Sequence, residues 1–208
     1  MGNGLAGQQR LLALVQAKRL PRELEPAASG VLFSARSAIR DSAVRYLTPP
    51  SATTLDGKTL PPIMTLAARM GDATLGRAVF QRTCVAGHVV GATGTDFGPA
   101  LREIGDKLSK SGLLLAILDP SAGIGFGYEG YTIRTKDGQQ LIGMITSETD
   151  SELSVKLIGG PQRRVPKSSV VERPRMDSSL MPQGLERAMT EADLVHLVEY
   201  LPSLRRPR

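Results

Sequence analysis

The sequence predicts a mainly α protein carrying a small β insertion, with a helical remnant at its N-terminus. Three observations point there. Apolar residues recur at helical spacing near both ends of the chain. Between about residues 128 and 174 the spacing switches to a period of two, broken by two-residue turns. The 208 residues, 41% hydrophobic and 22% charged, suit one large or two small globular domains, and no apolar run approaches the roughly 20 residues of a helical membrane span.

Residues 8–20 place Leu11, Leu12, Leu14, Val15 and Leu20 at helical spacing, and Pro21 opens a second helical stretch to about Ser34. A third, from about Ser37 to Leu47, sets Ile39, Ala43, Val44 and Leu47 on one side. Three short helices in series read as the end of a helical array over residues 1–47. The segment 48–66, opening TPPSATTLDGKTLPP, is rich in Pro, Thr and Gly and reads as a linker. From residue 67 onward a second region begins.

In that region GDATLGRAVFQRTC reads as one helix whose bare Gly76 lets another helix come close. After the loop GATGTDFGPALREIG comes the helix LSKSGLLLAILDPS, capped by Ser109 and ended by Pro120. YTIRTK, QQLIGMITSE, ELSVKLI, RRVP and SSVVER then read as four or five strands, joined at Asp137-Gly138, Thr149-Asp150 and GGPQ, and so short a meander is expected to curl into a little barrel. Thr190 and Asp193 form a capping-box start for a last helix lined by Leu194, Leu197, Val198 and Leu201, which Pro202 closes.

The net charge of +6 is uneven: residues 1–66 hold eight Lys/Arg against four Asp/Glu, and residues 67–208 hold eighteen against sixteen. With four Phe, four Tyr and no Trp, there is little on which to stack bases, so nucleic acid is not expected as a partner. A single cysteine leaves no internal disulfide to indicate a redox compartment. The first 20 residues reach Lys18 and Arg19 too soon to read as a signal peptide.

The chemistry concentrates in RTCVAGHVVG, residues 82–91. Cys84 precedes His88 by four residues, as in the haem attachment motif C-x-x-C-H, but Gly87 occupies the position of the second cysteine. One thiol and the imidazole still suffice for one thioether and one iron ligand. The residues alone also admit a plain reading, with Cys84 as a small apolar residue and His88 as a satisfied polar one. Zinc is a poorer fit, because Cys84, His88 and His196 lack paired ligand spacing, and no family signature marks Cys84 as a nucleophile.

The order of segments adds a resemblance. GDATLGRAVFQRTCVAGH, DFGPALREIG, LLLAILDPSAGIGFGYEGYTIRTKDGQQLIGMI and SLMPQGLERAMTEADLVHLVEYLPSL together are similar to the haem-binding cytochrome c domain at the C-terminal end of large bacterial membrane-bound dehydrogenase-like proteins. The likeness covers about two thirds of the chain, residues 67–208 holding the domain and 128–174 its β insertion, while residues 1–47 resemble the tail of the HEAT-type repeats that precede it. It implies a class I-like cytochrome c fold and an electron-transfer module, not itself an enzyme, on the periplasmic or outer side of the cytoplasmic membrane.

By the resemblance, His88 is the proximal iron ligand, Cys84 the retained thioether, Met181 the distal ligand and Pro99 the carbonyl that orients the imidazole. Met176 and Met144 are the competing methionines, and His196 reads as solvated. Gly76, Phe80 and Tyr200 correspond to the crossing of first and last helices. The cofactor would be haem, c-type by one thioether or b-type if unattached, and the partner a redox protein or an attached dehydrogenase domain. The insertion is similar to small SH3-like or Sm-like barrels, with a structural role. The alternative is a haem-free protein-interaction module that has lost cofactor binding.

Overall fold

The computed structural model describes residues 5–17, 19, 21, 24 and 31, and 52–206 continuously. The helices expected over 21–34 and 37–47 fall almost wholly outside the described residues. Helix α1 spans Leu5–Gln16 and buries Leu11. The remaining described helices are α2 (Ile63–Ala67), α3 (Ala73–Thr83), α4 (Lys110–Leu118) and α5 (Glu191–Tyr200), and the strands are β1 (Gly130–Thr135), β2 (Gln140–Glu148), β3 (Glu152–Leu157), β4 (Gln162–Pro166) and β5 (Val170–Glu172).

The expectation of a mainly α, class I-like cytochrome fold is corrected here. Five described α-helices accompany a five-stranded antiparallel sheet, so the class is mixed α and β. The physical reason is that the period-two run closes a core of its own. Ile133, Leu141, Leu153, Val155 and Val165 form one buried cluster, with Tyr131, Ile145, Leu157 and Val170 packed against it. The chain accordingly divides into two compact units, one within Met1–Thr83, Arg102–Gly123 and Gln183–Arg208, the other Cys84–Leu101 with Ile124–Pro182.

In the first unit α3 crosses α5. A Cβ at Gly76 would stand 2.0 Å from the His196 carbonyl oxygen and 2.8 Å from Tyr200 Cβ, so only glycine permits this approach. Phe80 and Tyr200 meet beside it, ring centroids 5.9 Å apart and tilted by 55°. Thr190 caps α5 by accepting the Asp193 N–H at 3.1 Å, Asp193 returns the bond to the Thr190 N–H at 3.0 Å, and Arg82 pairs with the same carboxylate at 2.5 Å. Helix α4 is buried along most of its length from Ser111 to Leu118, and Ser109 accepts the Gly112 N–H at its start. The stretch read as a linker is packed over 52–66: Ile63 and Leu66 are buried, and the Leu55 N–H donates to the Met189 carbonyl at 2.9 Å.

In the second unit the strand order is β4-β3-β2-β1-β5. The order ends at β4 and β5, which share no ladder among the described residues. β2 changes register against β3 between Ile145 and Ser147, and a 3-10 turn at Lys167–Ser169 joins β4 to β5. At the end of β2, Glu148 accepts from Arg173 at 2.6 and 3.1 Å and from Lys167 at 2.7 Å, fastening β2 to the segments on either side of β5.

Those two cations hold the Glu148 carboxyl well below its usual range, at about 2. A carboxylate with a depressed folded pKa contributes stability that is complete above its unfolded pKa of 4.5 and is lost as pH falls toward 2. Glu148→Gln should therefore lower Tm at pH 6, with the gap to the parent closing as pH drops through that window. The group is exposed, so added salt should shrink the gap as well. A gap independent of pH, read by thermal melts across the window, would remove the ionic explanation.

Candidate functional site

Cys84 follows the last residue of α3, and the chain keeps turning: the N–H groups of Gly87 and His88 both donate to the Cys84 carbonyl, at 3.1 and 2.9 Å. This turn sets Cys84 and His88 one helical turn apart. Val90 and Thr93 then exchange backbone hydrogen bonds around Gly91, whose φ of 60° needs the freedom of glycine, and the chain comes back on itself. Segment 95–101 runs alongside 85–89, with Thr95 N–H on the Val85 carbonyl (2.7 Å), Gly98 N–H on the Gly87 carbonyl (2.5 Å) and Leu101 N–H on the Val89 carbonyl (3.0 Å).

His88 sits between these two segments, half-buried. Its Nδ1 lies 2.8 Å from the Pro99 carbonyl oxygen. A carbonyl can only accept, so Nδ1 carries the proton and Nε2 is left with its lone pair. Burial pushes the His88 pKa below its usual value, and the bond to Pro99 opposes this only in part. The ring is therefore neutral at neutral pH, the state a metal requires.

The close fit around His88, ring and backbone, depends on two glycines that sequence reasoning passed over. A Cβ on Gly98 would fall 2.7 Å from His88 Cε1, and one on Gly94, at φ +109°, would fall 2.0 Å from the His88 carbonyl oxygen. Gly87 is the opposite case. Nothing lies within 4 Å of its added Cβ, so the position that a second cysteine would fill faces open space. Cys84 is itself partly exposed.

Cys84, His88 and Pro99 are thus brought together. Met181 lies in the same unit, on the loop after β5, half-buried, with its backbone N–H on Ser179 Oγ at 3.1 Å. The two competing methionines have structural places: Met144 is buried on β2, and a Cβ on Gly130 would come 3.0 Å from Met176 Sδ. His196 is half-buried. Its Nδ1 accepts the Asp72 N–H at 2.9 Å, clasping the chain ahead of α3 to α5.

Among the described residues no group of three or more His, Cys, Asp or Glu side chains is placed to hold a metal ion. Among them, too, no helix is long and apolar enough to cross a membrane. No protein-family model matches the chain, and no curated protein matches it.

Proposed function

We propose that the turn from Cys84 to His88, backed by segment 95–101, is the proximal half of a haem site in an electron-transfer module. The observation that carries this reading is the hydrogen bond from His88 Nδ1–H to the Pro99 carbonyl. It fixes one tautomer, orients the ring and presents Nε2, which is the arrangement by which proteins aim a histidine at a metal. A histidine serving only the core would gain as much from a bond through either nitrogen.

The residues present fit a haem on this side. His88 holds the iron through Nε2, Cys84 supplies one thioether, and Gly87 leaves the second vinyl group unanchored. Bound haem supplies one-electron chemistry. The chain's own part is to hold the imidazole neutral and oriented, and to exclude water from it. Met181 is assigned to the distal side by the resemblance alone.

Two substitutions test the reading. Gly87→Cys meets no steric obstacle and should convert a singly attached haem into a doubly attached one, seen as a shift of the haemochrome α band to shorter wavelength. No shift in a haem-loaded variant would show that position 87 does not face a vinyl group. Met181→Ala should lower the reduction potential and open a coordination position to exogenous ligands. An unchanged spectrum and potential would remove Met181 from the iron.

A further inference from the structure

The sheet reaches the loop that orients His88. Thr95 and Asp96 lie on that loop, between His88 and Pro99. Lys156, on β3, bonds Asp96 Oδ2 through Nζ at 2.9 Å across 60 residues of chain. The two ends of this bond are unequal: the Lys156 side chain is 14% exposed and the Asp96 side chain 76%. The lysine's stem is buried while its ammonium meets an exposed carboxylate, so the lysine is the fixed end of the bond and the loop is the end it restrains.

A second contact acts beside the first. The β3–β4 turn carries Gly160 at φ +96°, where a Cβ would come 3.0 Å from Thr95 Cγ2. β3 cannot easily yield, because it is hydrogen-bonded to β2 on one side and to β4 on the other. The loop is therefore held on one side by its hydrogen bonds to 85–89 and on the other by β3 and its turn. Three residues beyond Asp96, the Pro99 carbonyl meets His88 Nδ1.

We infer that Lys156 is a positioning residue for His88: by fixing Asp96 it fixes the Pro99 carbonyl, and through it the tautomer and orientation of the imidazole. The use made of Nε2 rests on the haem reading, but the clamp itself can be measured without haem.

The test is the ¹⁵N spectrum of the His88 ring in haem-free protein, for the parent, Lys156→Met, Lys156→Arg and Asp96→Asn. The parent should show the Nδ1–H tautomer. Lys156→Met and Asp96→Asn should each raise the Nε2–H share several-fold, and Lys156→Arg should restore the parent pattern. Asp96 is exposed, so Asp96→Asn tests the tie without disturbing the sheet, whose integrity the amide fingerprint reports. In haem-loaded protein the same two variants should weaken the His88–iron bond about tenfold, the usual consequence of losing an orienting partner, read by the low-pH spectral transition in which the imidazole leaves the iron. Parent-like ¹⁵N shifts in both variants, with the sheet intact, would overturn the inference. A parent that takes up no haem but whose tautomer responds to Lys156 would sustain the clamp and sink the haem reading.

Discussion

His88→Ala should weaken the protein's hold on the iron by more than the roughly 10- to 100-fold that follows loss of an orienting partner, since the ligand itself is gone. The effect is local. Pro99 commits Nδ1 to its carbonyl, so Nε2 is the ring's only donor to a metal, and alanine removes both nitrogens. The helical unit does not contain His88, and its melting should change little. Any haem that stays through Cys84 should lose its six-coordinate spectrum and recover it when free imidazole is supplied. Haem content and spectrum equal to the parent's would remove His88 from the iron.

Gly76→Ala should be the most damaging small change in the helical unit. The new methyl would need the space of the His196 carbonyl, 2.0 Å away, and of Tyr200 Cβ, so α3 and α5 must separate and the Phe80–Tyr200 contact loosens. Overpacking of a rigid contact costs about 3 kcal/mol at the upper end of its usual range, or a fall in Tm of roughly 6–12 °C for a chain of this size. Gly87→Ala is the matched control, with nothing within 4 Å of its methyl, and should stay within about 0.5 kcal/mol of the parent. Equal melts for the two variants would show that the crossing is not tight.

Local signals in the sequence carried most of the second region. The Thr190–Asp193 pair, the Ser109 cap and the period-two run each fix a conformation through neighbours a few residues away, and each stands where the spacing predicts. The fold class failed because periodicity reports which face of a strand is apolar, not whether the strands close a core of their own. Five strands around Ile133, Leu153 and Val155 do so, and the turn carrying Cys84 and His88 belongs with them rather than with the helices.

The site was legible to a similar depth. Cys84 and His88 announce themselves by spacing, and Pro99 came only through the family resemblance. Gly94 and Gly98 left no signal, because a close backbone approach shows only when the partner segment is in place. Lys156 was equally silent: on a strand it reads as a solvated residue, and its carboxylate partner lies 60 positions earlier. Met181 remains a residue of the loop after β5, assigned by resemblance.

The most direct test of the central claim is a pyridine haemochrome spectrum together with a denatured mass, on the parent chain co-expressed with a cytochrome maturation system. The account predicts one haem that stays on the denatured chain and shows the spectrum of one unreacted vinyl group, anchored at Cys84. A haem lost on denaturation would keep His88 as ligand and remove the thioether. Colourless protein of unmodified mass, made where a control cytochrome matures, would contradict the account.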